Sequence, residues 1–311
     1  MSNKINRRRF LAGAGAAAAA TTAAAPQQHQ RYQEHISPWP LALNTSTIRP
    51  ASLDEKIAVT AEAGYDAIEP WINELEEYEQ AGGNLEDLGK RIRDKGLFVV
   101  NIIGLWNCMP ATPGAFEKSL EKTRERMRMS AAVGSRFVAA IPAPDRPDFD
   151  LKWGAHCYRE LLRIGREDYG LTVAFEFVGF LKGVHRLGQA AAIALDTNAP
   201  GACLIADTFH LFRGGSGFKG LRHLQGDFIA NFHWNDVLDE VPREQQGDEH
   251  RVYPGDGVLP LTQLCKDLKH IGYRRTLSLE IFHREYWKQP AKQVAETGLR
   301  KMRETIAAAE V

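Results

Sequence analysis

The stretch Val173-Ala174-Phe175-Glu176-Phe177 places one carboxylate near the end of an otherwise apolar run. A near-continuous apolar run of four to eight residues is typical of a strand that is covered on both faces of a parallel sheet. A buried carboxylate is costly unless a cation or hydrogen-bond donors satisfy it. The stretch therefore predicts a buried strand with a functional or paired charge at its carboxyl end.

The same arrangement recurs three times downstream, in runs that end near Asp207, His233 and Glu280. The spacings between these four residues are 31, 26 and 47, so each repeat contributes one of them. Four similar apolar runs precede Glu176. The eight predicted strands are Leu41–Thr45, Ala67–Glu69, Phe98–Ile103, Phe137–Ile141, Leu171–Phe177, Ala202–Ala206, Ile229–Trp234 and Thr276–Ile281.

Amphipathic segments separate these runs, and glycines mark the ends of several of them. The predicted helices are Leu53–Ala63, Leu85–Lys95, Phe116–Val133, Trp153–Asp168, Val184–Thr197, Leu261–Ile271 and Ala291–Ala309. Eight strand–helix units at about 34 residues each predict an α/β protein, a single-domain (β/α)8 TIM barrel. A doubly wound open sheet is the alternative, but no GxGxxG motif follows the first strand to support a dinucleotide-binding version of it.

Chemistry in such barrels is located at the carboxyl ends of the strands. Glu176, Asp207, His233 and Glu280 are therefore expected to converge on one point. Three carboxylates and one imidazole suit a divalent metal ion of intermediate hardness. We predict one such ion, with Mn²⁺ preferred and Mg²⁺, Co²⁺ or Zn²⁺ as alternatives.

Composition excludes several classes of protein. The 311 residues contain 39 basic and 39 acidic side chains and are 44% hydrophobic, as in a soluble globular protein. Zero net charge argues against a protein that coats nucleic acid, because that binding depends on many cationic contacts with phosphate. The four cysteines are far apart and form no CxxC pair, so buried free thiols are expected.

The amino-terminal segment has the anatomy of an export signal. Residues 1–25 carry four basic and no acidic side chains, and Arg8-Arg9-Phe10-Leu11 precedes a weakly apolar alanine-rich stretch, which resembles a twin-arginine signal peptide. Residues 26–38 look like a polar linker, and residues 39–311 would form the barrel. We therefore expect a periplasmic or otherwise exported protein that uses the twin-arginine export machinery and keeps no stable membrane insertion after processing.

The ends of the strands resemble the xylose isomerase-like barrel superfamily, in particular its sugar epimerase and isomerase branch. Asp207-Thr208-Phe209-His210 and the stretch from Arg251 to Pro254-Gly255-Asp256-Gly257 match its motifs, as do the four strand-end residues. The resemblance implies that Glu176, Asp207, His233 and Glu280 bind one metal ion. It also implies that His210 and Arg251 bind substrate.

The implied reaction passes through a cis-enediolate, with Glu176 and Glu280 as acid and base on a ketose or keto-polyol. His233 would present a neutral nitrogen to the metal, and Asp236 or a backbone carbonyl could orient it as an outer partner. At the ends of the second and third strands, Glu69 and Trp106 are candidate substrate contacts.

Two alternatives remain in view besides an isomerase or epimerase. One is a lyase or dehydratase of an oxidised sugar or inosose, and another is a non-catalytic carbohydrate-binding barrel. The superfamily's trinuclear DNA-repair nucleases need histidines at the ends of the second and third strands, where Glu69 and Trp106 stand here. The expected partner is a small carbohydrate and not nucleic acid, and assembly into a homo-oligomer is left open.

Overall fold

Nine parallel strands form one nearly closed barrel in the computed structural model, which describes residues 32–311. The barrel strands are β1 (Leu41–Asn44), β2 (Ala67–Glu69), β3 (Phe98–Val99), β4 (Asn101–Leu105), β5 (Phe137–Ala140), β6 (Thr172–Glu176), β7 (Leu204–Asp207), β8 (Ile229–Trp234) and β11 (Leu277–Leu279). Outside the barrel, β9 (Asp236–Val237) pairs with β10 (Arg251–Val252) in a separate two-stranded antiparallel ladder. The single-domain α/β barrel predicted from the sequence is confirmed.

The predicted third strand is divided between the two edges of the barrel sheet. Its first part, β3, pairs with β2, whereas β4 pairs with β5 after the single residue Val100. A parallel bridge between Trp71 and Ile103 narrows the remaining gap. The nine strands therefore form an eight-stranded barrel, because β3 and β4 together occupy the position of one strand.

The helices cover the outside of this barrel. They are α1 (Leu53–Ala63), α2 (Ile72–Gln80), α3 (Leu85–Asp94), α4 (Pro113–Ala132), α5 (Leu151–Tyr169), α6 (Leu187–Asp196), α7 (Thr208–Arg213), α8 (Leu261–His270) and α9 (Ala291–Ala307). The sequence did not predict α2, whose only buried residues are Ile72 and Leu75, or the six-residue α7. Among residues 32–311, no helix has the length and apolar character needed to cross a membrane.

Alternation along the strands decides which side chains enter the barrel. In β6, Val173 and Phe175 belong to the large apolar cluster that packs with the helices, whereas Ala174 belongs to a smaller one with Ile103 and Ile205. Successive side chains of a strand point to opposite faces, so Glu176 shares the face of Ala174. The same rule directs the polar ends of β7, β8 and β11 into the barrel.

The four cysteines are buried and unpaired in the described chain, as the sequence predicts. Cys108 follows β4, Cys157 lies in α5, Cys203 precedes β7 and Cys265 lies in α8. Burial raises the pKa of each thiol to about 12. These side chains therefore act as small apolar groups of the core.

The end of the predicted linker packs against the barrel. Tyr32 and Ser37 form an antiparallel bridge. Gln33 donates its side-chain amide to Asp66 Oδ2 at 2.5 Å and accepts a hydrogen bond from Arg303 at 2.7 Å. Residues 32–38 are thus attached to the folded domain. The predicted signal peptide, residues 1–25, and the linker residues before Tyr32 lie outside the described residues.

Candidate metal centre

The four predicted ligands meet at the carboxyl ends of their strands. One donor atom from each of Glu176, Asp207, His233 and Glu280 lies within 4.8 Å of every other. His233 Nδ1 is 3.1 Å from Glu176 Oε1, 3.1 Å from Glu280 Oε2 and 3.5 Å from Asp207 Oδ2. All four side chains are buried. The convergence that the repeat spacing predicts is therefore present.

The imidazole of His233 shows that this cluster suits a cation. Its Nε2 lies 3.1 Å from Glu69 Oε1, whereas its buried Nδ1 has no hydrogen-bond partner among the described residues. We assign one proton to Nε2 in the bond with Glu69, so that loss of the second proton from Nδ1 leaves a lone pair that faces three carboxylates. A nitrogen lone pair and several carboxylate oxygens around one point are the donor set of a divalent metal site.

Charge in the cluster also favours a cation. Arg251 donates from Nη1 to Asp207 Oδ2 at 2.7 Å and to Glu280 Oε2 at 2.8 Å. One guanidinium nevertheless faces several carboxylates, since Glu69 and Glu176 are buried beside the same imidazole. Buried carboxylates need compensating charge, and a divalent ion would supply it.

The ionisable groups of the site are strongly perturbed. Burial raises the pKa of Glu176 to about 7, and the neighbouring Glu280 and Asp207 carboxylates act in the same direction. Burial also lowers the pKa of His210 to about 4. For Asp207, burial is outweighed by the Arg251 guanidinium, which holds the pKa well below its usual value. Glu176 is therefore the carboxylate suited to exchange a proton near neutral pH.

Glu69 occupies a different place from the one predicted. It was expected to contact substrate, but its side chain is fully buried beneath the metal cluster. Five donors satisfy its two oxygens, from Asn101, Asn231 and His233 to Oε1 and from Asn44 and Ser278 to Oε2, at 2.6–3.1 Å. Such a carboxylate has no free lone pair for a ligand, so it acts on the site through His233.

The role predicted for Asp236 is also wrong. The sequence predicts that Asp236 orients His233, but its carboxylate accepts hydrogen bonds from the backbone amides of Val237, Gly255 and Leu259 at 2.9–3.1 Å. These contacts shape the loop that carries Arg251. Glu69 thus replaces Asp236 as the outer partner of the imidazole.

Three residues of this network were not predicted from the sequence. Asn101, Asn231 and Ser278 are fully buried, and each interrupts an apolar strand. Because a buried polar group needs a partner, three such interruptions at similar positions in different strands are a usable signal. Together they indicate a shared acceptor inside the barrel, which is Glu69.

An apolar-walled cavity of about 130 Å³ lies over the cluster. Its polar lining comes from Glu176, Glu280, His210, Asp248 and Arg251, with Arg251 Nη2 3.3 Å from His210 Nε2. The apolar lining includes Trp71 and Trp106, whose ring centroids are 6.0 Å apart in a stacked arrangement, together with Phe282. The predicted contacts His210, Arg251 and Trp106 therefore all face one cavity, which suits a small polar ring.

Comparison with known proteins gives a consistent result. The profile of the family described as xylose isomerase-like TIM barrel matches residues 57–305. An inosose isomerase of Bacillus velezensis is 27% identical over 258 residues, which cover 81% of this chain and 91% of that protein. A 1.8 Å crystal structure of the IolI protein with bound zinc is 25% identical, has a TM-score of 0.80 and covers 86% of this chain and 98% of its own.

A relative with a different reaction also matches. The 3-dehydroshikimate dehydratase of Pseudomonas putida is 23% identical over 255 residues, which cover 81% of this chain. The match spans only 39% of that dehydratase, so its whole activity is not transferred by the alignment. Isomerisation and dehydration thus both occur among the relatives.

Proposed function

Because this chain belongs to the xylose isomerase-like TIM barrel family, we propose that it is a metal-dependent isomerase or epimerase of a ketose or keto-polyol. The observation that carries the proposal is the buried cluster of Glu176, Asp207, His233 and Glu280 under a small cavity. The similarity to an inosose isomerase over nearly the whole of that enzyme supports the substrate class.

The four cluster residues would hold one divalent ion, for which we propose Mn²⁺. Three oxygen donors and one nitrogen support this choice, and the zinc in the IolI structure supports a divalent ion in general. When bound, the ion would supply Lewis-acid polarisation of a carbonyl and an adjacent hydroxyl.

The protein's own residues would then carry out two proton transfers. Glu176, with its pKa near 7, is suited to remove the proton next to the carbonyl and form a cis-enediolate. Glu280, which Arg251 and Asn44 hold at 2.8 and 3.0 Å, would return a proton when it is in its acid form, and exchange with solvent would then remove the proton from Glu176 and restore the one on Glu280. Return to the opposite face of the same carbon epimerises the substrate, whereas return to the neighbouring carbon isomerises it. His210 and Arg251 would bind substrate oxygens.

A dehydratase acting on an oxidised sugar or inosose is the second candidate. The dehydroshikimate dehydratase relative favours it, and the same base would remove the same kind of proton. The enediolate would then expel the β-hydroxyl, which would leave as water with a proton from Glu280, instead of taking up that proton at carbon.

We also propose that the protein is exported through the twin-arginine machinery and acts in the periplasm or outside the cell. The support is the basic, acid-free composition of residues 1–25 and the arginine pair before Phe10. Neutral carbohydrates are a substrate class available in that location.

Solvent-deuterium exchange tests the catalytic proposal. Metal-loaded protein is incubated in D₂O with ketoses and inososes, and incorporation is measured by mass spectrometry. Glu176→Gln and Glu280→Gln should lower incorporation by at least about 100-fold, since general acid–base groups contribute about that much. The matched control is Glu86→Gln, an exposed helical position. Exchange that survives in both site variants would disprove the enediolate mechanism.

The products separate the two candidate reactions. Dehydration creates a conjugated enone that absorbs in the near ultraviolet, whereas epimerisation leaves the mass and absorbance unchanged. Appearance of an enone together with loss of water would favour the dehydratase. A new stereoisomer of equal mass would favour the isomerase or epimerase.

A further inference from the structure

A second and larger cavity lies beside the metal centre. It has a volume of about 780 Å³ and follows the carboxyl ends of β1 and β2. Arg49 lines it from the turn after β1, and Trp71, Asn73, Glu77 and Tyr78 line it from the start and middle of α2. None of the residues proposed to bind the metal lines this cavity.

The two cavities adjoin at a group of aromatic side chains. Trp71 lines both of them. The Arg49 guanidinium lies 5.5 Å from the centre of the Trp71 ring and 5.1 Å from that of Phe282, which belongs to the cavity over the metal cluster. A ligand that occupied both cavities would therefore pass over Trp71 and beside Arg49.

The volumes of the two cavities indicate which part of a ligand each could hold. Cavities that hold small molecules usually measure about 300–1,000 Å³. The cavity over the metal cluster, at about 130 Å³, can receive only the reacting part of a molecule. The adjoining cavity has room for a further unit.

The lining of the larger cavity points to a neutral, hydroxyl-rich ligand. Arg49, Asn73 and Glu77 are exposed, and within residues 32–311 none of their side chains has a hydrogen-bond or salt-bridge partner. The remaining charges in the lining, Lys56 and Glu74, neutralise each other at 2.6 Å. Donors and acceptors of balanced charge suit hydroxyl groups, and Trp71 and Tyr78 add aromatic surface to the lining.

We propose that this cavity is a subsite for an uncharged glycosyl unit, so that the protein acts on a keto sugar carried within a glycoside. The proposal rests on the proposed function and defines its substrate class more narrowly. The reacting ring would lie over the metal cluster, and the attached unit would contact Trp71, Asn73 and Glu77. Arg49 would donate hydrogen bonds at the junction.

Binding of unreactive sugars tests the subsite without catalysis. Calorimetry on metal-loaded protein compares glucose with cellobiose, maltose and trehalose. At least one disaccharide should bind about tenfold more tightly than glucose. Glu77→Gln and Arg49→Gln should each reduce that advantage about fivefold, the effect of one net hydrogen bond. Glu86→Gln serves as the control, and thermal unfolding verifies that each variant is folded.

Turnover provides the second test. The ratio of kcat/KM for a keto-disaccharide to that for the free keto sugar should exceed ten and should fall in Glu77→Gln and Arg49→Gln. Loss of the disaccharide binding advantage in the variants, without turnover of any keto sugar, would support the subsite and reject the proposed function.

Three results would overturn the subsite proposal. Glucose and all three disaccharides could bind equally, or the variants could leave the advantage unchanged. Preferential binding of glucuronate over every disaccharide would show that the cavity recognises charge instead of a second sugar unit.

Discussion

At the scale of single residues, Glu69 links the metal centre to the barrel. Its two oxygens accept from side chains on β1, β4, β8 and β11, while Glu69 itself ends β2. It therefore fixes the orientation of His233 and joins five strands at once. A residue of this kind affects function without contacting the substrate.

Glu69→Gln should weaken metal binding by about 10- to 100-fold, since loss of an outer partner commonly has that effect. It should also lower the free energy of unfolding by about 1–3 kcal/mol, because the amide cannot accept from all five donors. Chelator competition and urea denaturation measure the two effects. The control is Glu86→Gln, and unchanged metal affinity in Glu69→Gln would contradict the assigned role.

Metal affinity should rise with pH. The carboxylates of Glu280, Glu69 and Glu176 outweigh burial and raise the pKa of His233 well above its usual value, and burial raises that of Glu176 to about 7. Below neutral pH both groups hold protons that a metal ion must displace. Affinity should therefore increase about tenfold per pH unit for each proton released.

Chelator competition between about pH 5.5 and pH 7 measures this slope. Glu176→Gln should reduce the slope by about one proton, because the amide carries no titrating group. A pH-independent affinity in the wild-type protein would show that neither residue binds the ion. The Glu86→Gln variant should keep the wild-type slope.

The residues that the sequence predicts best are those with a repeating position. Glu176, Asp207, His233 and Glu280 end successive strands, and the alternation of side chains brings them to one point. Glu69 also ends a strand, so the same pattern could not tell a ligand from a supporting residue. That difference depends on the donors around it, which come from positions distant in the sequence.

At the scale of elements, the β9–β10 ladder positions Arg251. Asp236 in β9 accepts three backbone hydrogen bonds from the loop between Val237 and Leu259, and Arg251 begins β10. Gly257 approaches this carboxylate closely. A Cβ at that position would lie 2.1 Å from Val237 O and 2.4 Å from Asp236 Oδ1.

Gly257→Ala should therefore lower the free energy of unfolding by roughly 1–3 kcal/mol, the usual cost of overpacking. It should also reduce activity, because the displaced loop carries Arg251. Gly188→Ala is the matched control, since a Cβ there meets no atom within 4 Å and alanine is the better helix former. Equal effects of the two substitutions on urea denaturation would contradict this account.

Hydrophobic patterns in the sequence predict some helices and strands well and miss others. Long amphipathic segments such as α5 are predicted well because many residues contribute to the pattern. Helix α2 is not, since it buries only Ile72 and Leu75 and its remaining residues are mostly acidic or polar. The division of the third strand at Val100 depends on barrel closure, which an apolar run cannot encode.

At the scale of the whole molecule, metal binding should stabilise the barrel. An ion present at about 100 times its dissociation constant adds about 2.7 kcal/mol to the free energy of unfolding. For a domain of this size that corresponds to an increase in Tm of about 5 °C. Thermal unfolding with and without EDTA measures the shift. His233→Gln should lose most of it, and an equal shift in that variant would place the ion elsewhere.

The four buried cysteines can report local opening of the barrel through their reactivity. Each thiol is buried and almost fully protonated at neutral pH. An alkylating reagent can therefore modify a given cysteine only when the part of the structure around that cysteine opens. Cys108, Cys157, Cys203 and Cys265 lie in four different parts of the chain. The order in which the four cysteines react would therefore give the order in which these parts of the native barrel unfold locally, without any engineered label.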